Sequence, residues 1–516
     1  MTSRFPKILP KRLRVSPSGL DRLVDLETGR PGRLTLRQFA ILLLTTAVAF
    51  LVHGYHPAVE DAEIYLPGVK KVLNPSLYPL NDQFFAAHAS RTLFPNLIAA
   101  SAKLTHIPLD YALLLWHLTS ILLLLLACWH IGRLCFENEL AQWGGVLLVA
   151  TLLTIPVAGT ALYILDEYLN PRSISTVTIL FALIAVVERR YVRAVLWCVF
   201  TALIHPLMVV FGVSCFALLL WLRRDRRAVA TAVLLPVGLF LPFLQPVTGA
   251  YREALQAHSY FFLLRWEWYE WLGIFGPIAL LFWFRKIAKR EALANFELLA
   301  NATIWFAIFY LVVGLSITIP DRFARLTLFQ PMRALHLVYI VLFVFSGGLL
   351  ARRVLKAELW RWCVLFVPLC AAMFYAQRQL FPATPHIEWP GVTPANDWLQ
   401  AFAWIRENTP VDAYFALDPQ HMALPGEDQH GFRAVAERSM LADNVKDGGA
   451  VTMFPKMADE WQRQVKAQAG WKNFRLDDYR RLQREFGVTW VLVGQPGSEG
   501  LLCQYENKTL KVCRLN

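Results

Sequence analysis

The stretch Glu60-Asp61-Ala62-Glu63-Ile64-Tyr65-Leu66-Pro67-Gly68-Val69-Lys70-Lys71-Val72 stands a few residues beyond the apolar run 36–52. Its acids sit within four positions of one another. Behind them come Asn74-Pro75, Tyr78-Pro79, Asp82, His88 and Arg91. The segment 64–72 reads as an amphipathic surface turn or helix. Polar groups packed this densely beside a membrane-length apolar run point to the floor of a site at a membrane surface. The plain alternative is a solvated acidic loop.

Outward from that stretch, apolar runs recur as far as residue 375. The chain has 516 residues, is 56% hydrophobic and only 17% charged, which sets it apart from ordinary soluble domains. Further apolar segments fall near 92–104, 109–131, 141–158, 173–187, 192–204, 206–222, 228–246, 271–285, 295–319, 331–350 and 362–377. The expected fold is mainly α and polytopic, with about eleven to thirteen transmembrane helices. Segment 92–104 is too short to span alone, and 192–222 must bend at His205-Pro206.

The formal net charge is +13. Its lysines and arginines cluster in short loops between apolar runs, as the positive-inside tendency requires, and no nucleic-acid partner is expected. Residues 1–35 read as a basic cytoplasmic tail and 36–377 as the transmembrane region. The loops 53–90, 159–172, 247–270 and 320–330 then lie outside, and so do residues 378–516. This last part is expected to be a small extracytoplasmic α/β domain behind a proline-marked linker. Asn396 or Asp397 caps a helix bearing Trp398, Leu399, Phe402 and Ile405, and 413–417 and 488–493 read as strands. Cys503 and Cys513 flank a hairpin turn at Asn507-Lys508-Thr509 and are either a disulfide or two free thiols. A disulfide would imply an oxidising compartment.

Besides Glu60, Asp61 and Glu63, four constellations border the spans. Asp166, Glu167 and Arg172 are ionisable groups at a membrane edge, which makes them functional candidates; a helix cap with a local Asp–Arg pair is the alternative. His205 lies at mid-membrane, where a packing role competes with a substrate role. Arg265 sits in an aromatic-rich segment that an interfacial belt also explains. Gln330 and Arg333 begin a span, and arginine suits phosphate through its planar fork. His88 and Arg91 complete the set. No phosphate-binding glycine loop, nucleophile elbow, paired-histidine metal motif or Rossmann fingerprint stands in usable context.

Glu60-Asp61 after the first span, the Tyr78-Pro79 element, the short paired helices and a final domain opening with Trp404-Ile405-Arg406-Glu407-Asn408-Thr409-Pro410 resemble the GT-C superfamily of polytopic glycosyltransferases. The resemblance is closest to bacterial members. It implies a plasma-membrane enzyme that moves a sugar from a polyprenyl-phosphate donor to an acceptor on the outer face. Asp61, with Glu60 as alternate, would be the general base or a ligand for a divalent cation such as magnesium or manganese. Arg172, Arg265 and Arg333 are phosphate candidates by residue chemistry. The Trp-Trp-Asp-type tail motif of oligosaccharyltransferases is missing, which argues against that activity. The rival readings are a transporter, a cell-envelope scaffold, or a transferase fold without activity.

Overall fold

A computed structural model describes residues 34–223, 247 and 249–515. The basic tail 1–33, the arginines at 224, 226 and 227 and the expected span 228–246 lie outside the described residues. The chain divides into two compact units, Met1–Leu44 and Thr45–Asn516. The described part of the first holds the opening turns of the helix Leu36–His53; every other described element belongs to the second.

The molecule is mainly helical, with a small sheet near its carboxy terminus. Among the described residues, six helical stretches are long and apolar enough to cross a membrane: Leu36–His53, Leu109–Cys135, Trp268–Arg290, Ala294–Thr318, Phe323–Leu355 and Leu359–Leu380. The apolar helices Pro171–Val187, Tyr191–Ile204 and Pro206–Leu222 are shorter. Segment 92–104 is likewise a short helix, Phe94–Thr105. The break at His205-Pro206 is present, with His205 ending one helix and Pro206 opening the next. Proline cannot donate the hydrogen bond a continuous helix would need there.

Two apolar segments are shorter as helices than their hydropathy suggests. The one expected over 141–158 is helical only over Glu139–Thr151, and Pro156 lies in the irregular loop beyond it. The one expected from 331 begins with a 3-10 turn, Pro331–Ala334, before the α-helix Leu335–Leu350. That helix packs on Glu139–Thr151 through Gly144, Gly145 and Gly347. A Cβ on Gly144 would stand 2.4 Å from the Gly347 carbonyl oxygen, inside any tolerable contact. The backbones approach so closely because small residues face one another.

The stretch 64–72 is mostly buried, with Val72 exposed and Tyr65 and Lys71 half-buried. It lies in the helix Ala62–Leu73, where Glu63, Ile64, Leu66, Val69 and Lys70 are all buried. The short helix Phe432–Ala436 covers it. Lys70 Nζ donates to the Ala434 carbonyl at 2.7 Å and to Glu437 at 2.7 Å. The amphipathic pattern does form a helix, but its covering face comes from a part of the chain more than 350 positions away.

In the carboxy-terminal region, the Asn396 side chain caps the helix Asp397–Asn408 by accepting from Trp398 N and Leu399 N. Among the described residues five strands, β1 (Tyr414–Ala416), β2 (Ser439–Met440), β3 (Trp490–Gly494), β4 (Leu502–Glu506) and β5 (Leu510–Arg514), form a sheet in the order β2-β1-β3-β5-β4. β1 is parallel to β2 and β3; β5 is antiparallel to β3 and β4. Phe402, Ile405, Phe415 and Val512 fill one side of the sheet, and Tyr479, Leu482 and Val491 the other. Cys503 stands opposite Cys513 across the β4–β5 hairpin, and the two form a disulfide.

This region is stitched to the segment after the first apolar helix. Tyr55 bridges Ile387 in parallel, and Val59 bridges His430 in antiparallel fashion. Glu60 N donates to Gln429 O at 2.9 Å, and Gly431 N to Ala58 O at 2.8 Å. Main-chain bonds therefore fix where Glu60 and Asp61 stand.

Candidate functional site

Glu60 has φ 53°, a left-handed conformation that is uncommon without glycine. It turns the chain from the stitched strand into the helix Ala62–Leu73 and places Asp61 at that helix's start. Asp61 N donates to the Tyr168 hydroxyl at 3.1 Å. Lys446 Nζ reaches Asp61 Oδ1 at 3.1 Å and also pairs with Glu60 Oε2. Lys446 opens the helix Lys446–Met453, whose first N–H groups donate to Asp443 Oδ1.

Arg172 lies in the first turn of Pro171–Val187, a helix capped by Asn170 with a reciprocal bond from Ser173. Its Nη2 pairs with Asp166 Oδ2 at 2.6 Å, and Asn170 Nδ2 donates to the same oxygen at 2.6 Å. Arg172 Nε is buried without a partner among the described residues. Arg333 comes after Gln330, which has φ 46°, and Pro331. Among the described residues the Arg333 guanidinium has no hydrogen bond or ion pair, and its Nε is buried. Arg333, Gln330, Tyr260, Thr160 and Met332 line one narrow crevice.

Burial alone would push the Asp61 carboxyl up. Lys446, Arg172 and Arg333 together outweigh burial and hold it below the usual carboxylate range. Asp61 is thus ionised at neutral pH and sits in the field of three cations. The Tyr260 phenol lies in the combined field of Arg333, Asp61 and Lys446. His205, at its helix break, lies in that of Arg172 and Arg333. His88 is nearby; burial brings its imidazole down to about 4, against the pull of Asp61. His88 meets the edge of Phe454 at 4.9 Å, and its Nδ1 is buried with no partner among the described residues.

Four of the expected site residues stand apart from this cluster. Glu63 is a strut: its two oxygens accept from Arg433 N, Arg433 Nη1 and Ala434 N. Burial and Asp443 push its carboxyl up to about 8 against the pull of Arg433. Arg433, fully buried, also grips Asp447 through both of its Nη atoms at 3.1 and 2.7 Å. Glu167 is buried and pushed up to about 8 by burial and by Asp166. It lines a separate small cavity with His53, His117 and Thr154. Arg91 lies over the Phe454 ring at 4.6 Å. Arg265 is exposed, donates to Gln256 O at 2.9 Å and stacks on Phe262. Its aromatic neighbourhood reads the same in sequence whether a side chain turns inward or outward.

Tyr168 joins the site from the segment 161–172, and His258 and Tyr260 join it from the aromatic-rich segment around Arg265, whereas Lys446 joins it with no local signal in the sequence to mark it. Lys446 sits in Asp443-Asn444-Val445-Lys446-Asp447, which reads as a solvated charged turn. Only the stitched fold brings it to Asp61. Among the described residues no group of three His, Cys, Asp or Glu side chains is placed to hold a metal ion. Glu60 and Asp61 are both engaged by Lys446, so they do not form an open donor set for a divalent cation.

No curated protein matches this chain. Residues 396–467 match a family model described only as a domain of unknown function, DUF6798. That stretch contributes Lys446, which pairs with Glu60 and Asp61, and the buried Arg433, Asp443 and Asp447.

Proposed function

We propose that the protein is a membrane glycosyltransferase of the GT-C type, taking its sugar from a polyprenyl-phosphate donor. The observation that carries this reading is the Arg333 guanidinium, its Nε buried and without a partner among the described residues, whose field together with that of Arg172 acts on the Asp61 carboxylate. A buried guanidinium left open calls for an anion. Six membrane-length helices suit a lipid-borne substrate. The disulfide suits a carboxy-terminal domain on the oxidising, outer side of a bacterial plasma membrane.

In this reading Arg172 and Arg333 hold the donor phosphate. An acceptor hydroxyl oxygen attacks the anomeric carbon, and the carbon–oxygen bond to phosphate breaks. The bond's electron pair leaves on the phosphate, where the arginines stabilise it. The hydroxyl proton passes to the Asp61 carboxylate.

The test uses the full chain in lipid nanodiscs with a panel of synthetic polyprenyl-phosphate sugars. Release of polyprenyl phosphate should fall roughly 10²–10⁴-fold in Asp61→Asn. If no donor in the panel is consumed above the Asp61→Asn background, the reading fails.

A structural reading has one observation in its favour, the engagement of both Glu60 and Asp61 by Lys446. The pair would then only fasten the carboxy-terminal domain. Asp61→Asn would lower stability as much as Lys446→Gln and change no turnover.

A further inference from the structure

Lys446 has a second face. It forms part of the wall of a cleft of about 370 Å³, open to solvent, between the end of the helix Leu359–Leu380 and the loop carrying Met422, Ala423, Asp428 and Gln429. The cleft is mixed in character, with amides at Gln379 and Gln429 and apolar groups at Leu380, Met422 and Val445. Asp428 and Gln429 both hold left-handed backbone conformations, with φ 60° and 61°. Such strain gathers at functional sites. The carboxylate on the wall, Asp428, is committed elsewhere: its Oδ2 accepts from Ala383 N at 2.8 Å and from Thr384 Oγ1. Behind the loop, Glu427 is fully buried, and both its side-chain oxygens lack a partner among the described residues, so it brings no cation to the cleft.

Lys446 thus stands between an open cleft and the candidate base, with its charge spent on Glu60 and Asp61. We infer that this cleft binds the acceptor, that the acceptor carries an anionic group beside its hydroxyl, and that this group draws Lys446 away from Asp61. The inference rests on the transferase reading. It also meets a difficulty in it. A carboxylate held well below its usual range takes up a proton poorly, whereas one nearer neutrality takes it up well. Asp61 is faced by Glu60 on its own turn, by Lys446, Arg172, Arg333 and His88, and by the phenols of Tyr65, Tyr168 and Tyr260. Of the cations Lys446, Arg172 and Arg333, Lys446 is the one with a flexible stem and a second open side. Moving it leaves the arginines on the donor phosphate and makes Asp61 more basic. Binding and activation become one event, and an acceptor without the anion leaves the base capped.

The probe is inorganic phosphate, with glucose as the neutral control, titrated against the full chain in nanodiscs by calorimetry. Ala423 is exposed on the rim, so Ala423→Trp fills the cleft without touching the arginines. Phosphate should bind and glucose should not. Lys446→Gln and Ala423→Trp should each weaken phosphate by about tenfold or more, the size of one lost charge-assisted bond. Arg333→Ala should remove only the phosphate held at the donor arginines and leave the binding at the cleft in place. Infrared difference spectra should show a carboxylate stretch shifting on phosphate addition as its lysine partner leaves, a change that vanishes in Asp61→Asn. Loss of binding in Arg333→Ala with full binding in Ala423→Trp would put the anion at the donor site and overturn the cleft. Binding without that shift would overturn the displacement of Lys446. Neither outcome bears on donor consumption, which tests the transferase reading separately.

Discussion

Lys446 Nζ stands 3.1 Å from Asp61 Oδ1, across 385 positions of chain, and the two belong to regions that the sequence alone reads as separate domains. Glu60 and Asp61 are each about a third exposed, at 38% and 31%. Lys446 itself is buried, but with both carboxylates in reach of water its removal strands no charge in a dry interior, and the pair contributes little to stability, about 1 kcal/mol. Lys446→Gln should therefore lower stability by no more than that while raising the Asp61 pKa. Denaturant titration and carboxyl infrared spectroscopy measure the two effects. A loss several times larger would make Lys446 a structural pillar.

The Arg433 network behaves differently. Its guanidinium is buried among Glu63, Asp443 and Asp447, so removing it strands carboxylates in a dry interior. Arg433→Met should cost about 3–5 kcal/mol. Glu63→Gln keeps the shape and leaves Arg433 its grip on Asp447, so it should cost clearly less. Chemical denaturation of the two variants side by side tests the ordering, and equal losses would refute it.

Arg172 and Arg333 should separate by phenotype. Arg172→Ala breaks the 2.6 Å pair with Asp166 and should lower thermal stability as well as donor binding. Arg333→Ala breaks no hydrogen bond or ion pair to the described residues, so it should weaken donor binding with stability nearly unchanged. Melting curves with and without a polyprenyl phosphate read both quantities. An Arg333→Ala protein that melts early but binds normally would reassign that side chain to packing.

Stability should fall as the medium turns alkaline. His430 Nε2 meets Glu388 Oε1 at 2.9 Å, and His56 Nδ1 meets the same oxygen at 2.6 Å. Burial disfavours the His430 charge, but Glu388 outweighs it and lifts the imidazole from 6.5 to about 9. Its contribution is complete below pH 6.5 and disappears as pH climbs through 9. Glu388 is raised by burial but brought from 4.5 to about 2 by His430 and His56, so its contribution holds above pH 4.5 and is lost as pH falls through 2. Together they favour the window from 4.5 to 6.5. The His430 shift is worth on the order of 3 kcal/mol. In His430→Gln the fall between pH 6.5 and 9 should flatten, and melting curves across that range are the check.

Much of the helical layout was legible from hydropathy. The break at His205-Pro206 and the short helix near 92–104 follow from one proline and from run length. The Cys503–Cys513 pair was readable as one of two options, because a hairpin turn lay midway between them. Asp61, Arg172 and Arg333 were legible as charges beside apolar runs, where a polar group needs a reason. The burial of the helix Ala62–Leu73 was not, since its cover, Phe432–Ala436, lies far along the chain. Lys446 was hidden for the same reason: nothing local distinguishes it from a surface lysine. Glu63 could not be told from its neighbours, because adjacent acids look alike until the fold sends one onto Arg433 and two onto Lys446.

Gly144 and Gly347 set a limit of another kind. A methyl group on Gly347 would fall 2.1 Å from the Gly144 carbonyl oxygen, so Gly347→Ala should force Glu139–Thr151 and Leu335–Leu350 apart. Folding yield in membranes should drop sharply, while Gly276→Ala, where a Cβ meets nothing within 4 Å, should be silent.

The bridges from Tyr55 to Ile387 and from Val59 to His430 bear on how the molecule is made. A ribosome releases residues 55–61 early, yet their neighbours at 386–388 and 429–431 emerge only after every described helix of membrane length has been completed. The acidic turn must wait, unsheltered, through most of translation. A message with a premature stop between the end of the helix Leu359–Leu380 and codon 387 would yield a chain with every described helix of membrane length and nothing to close over Asp61.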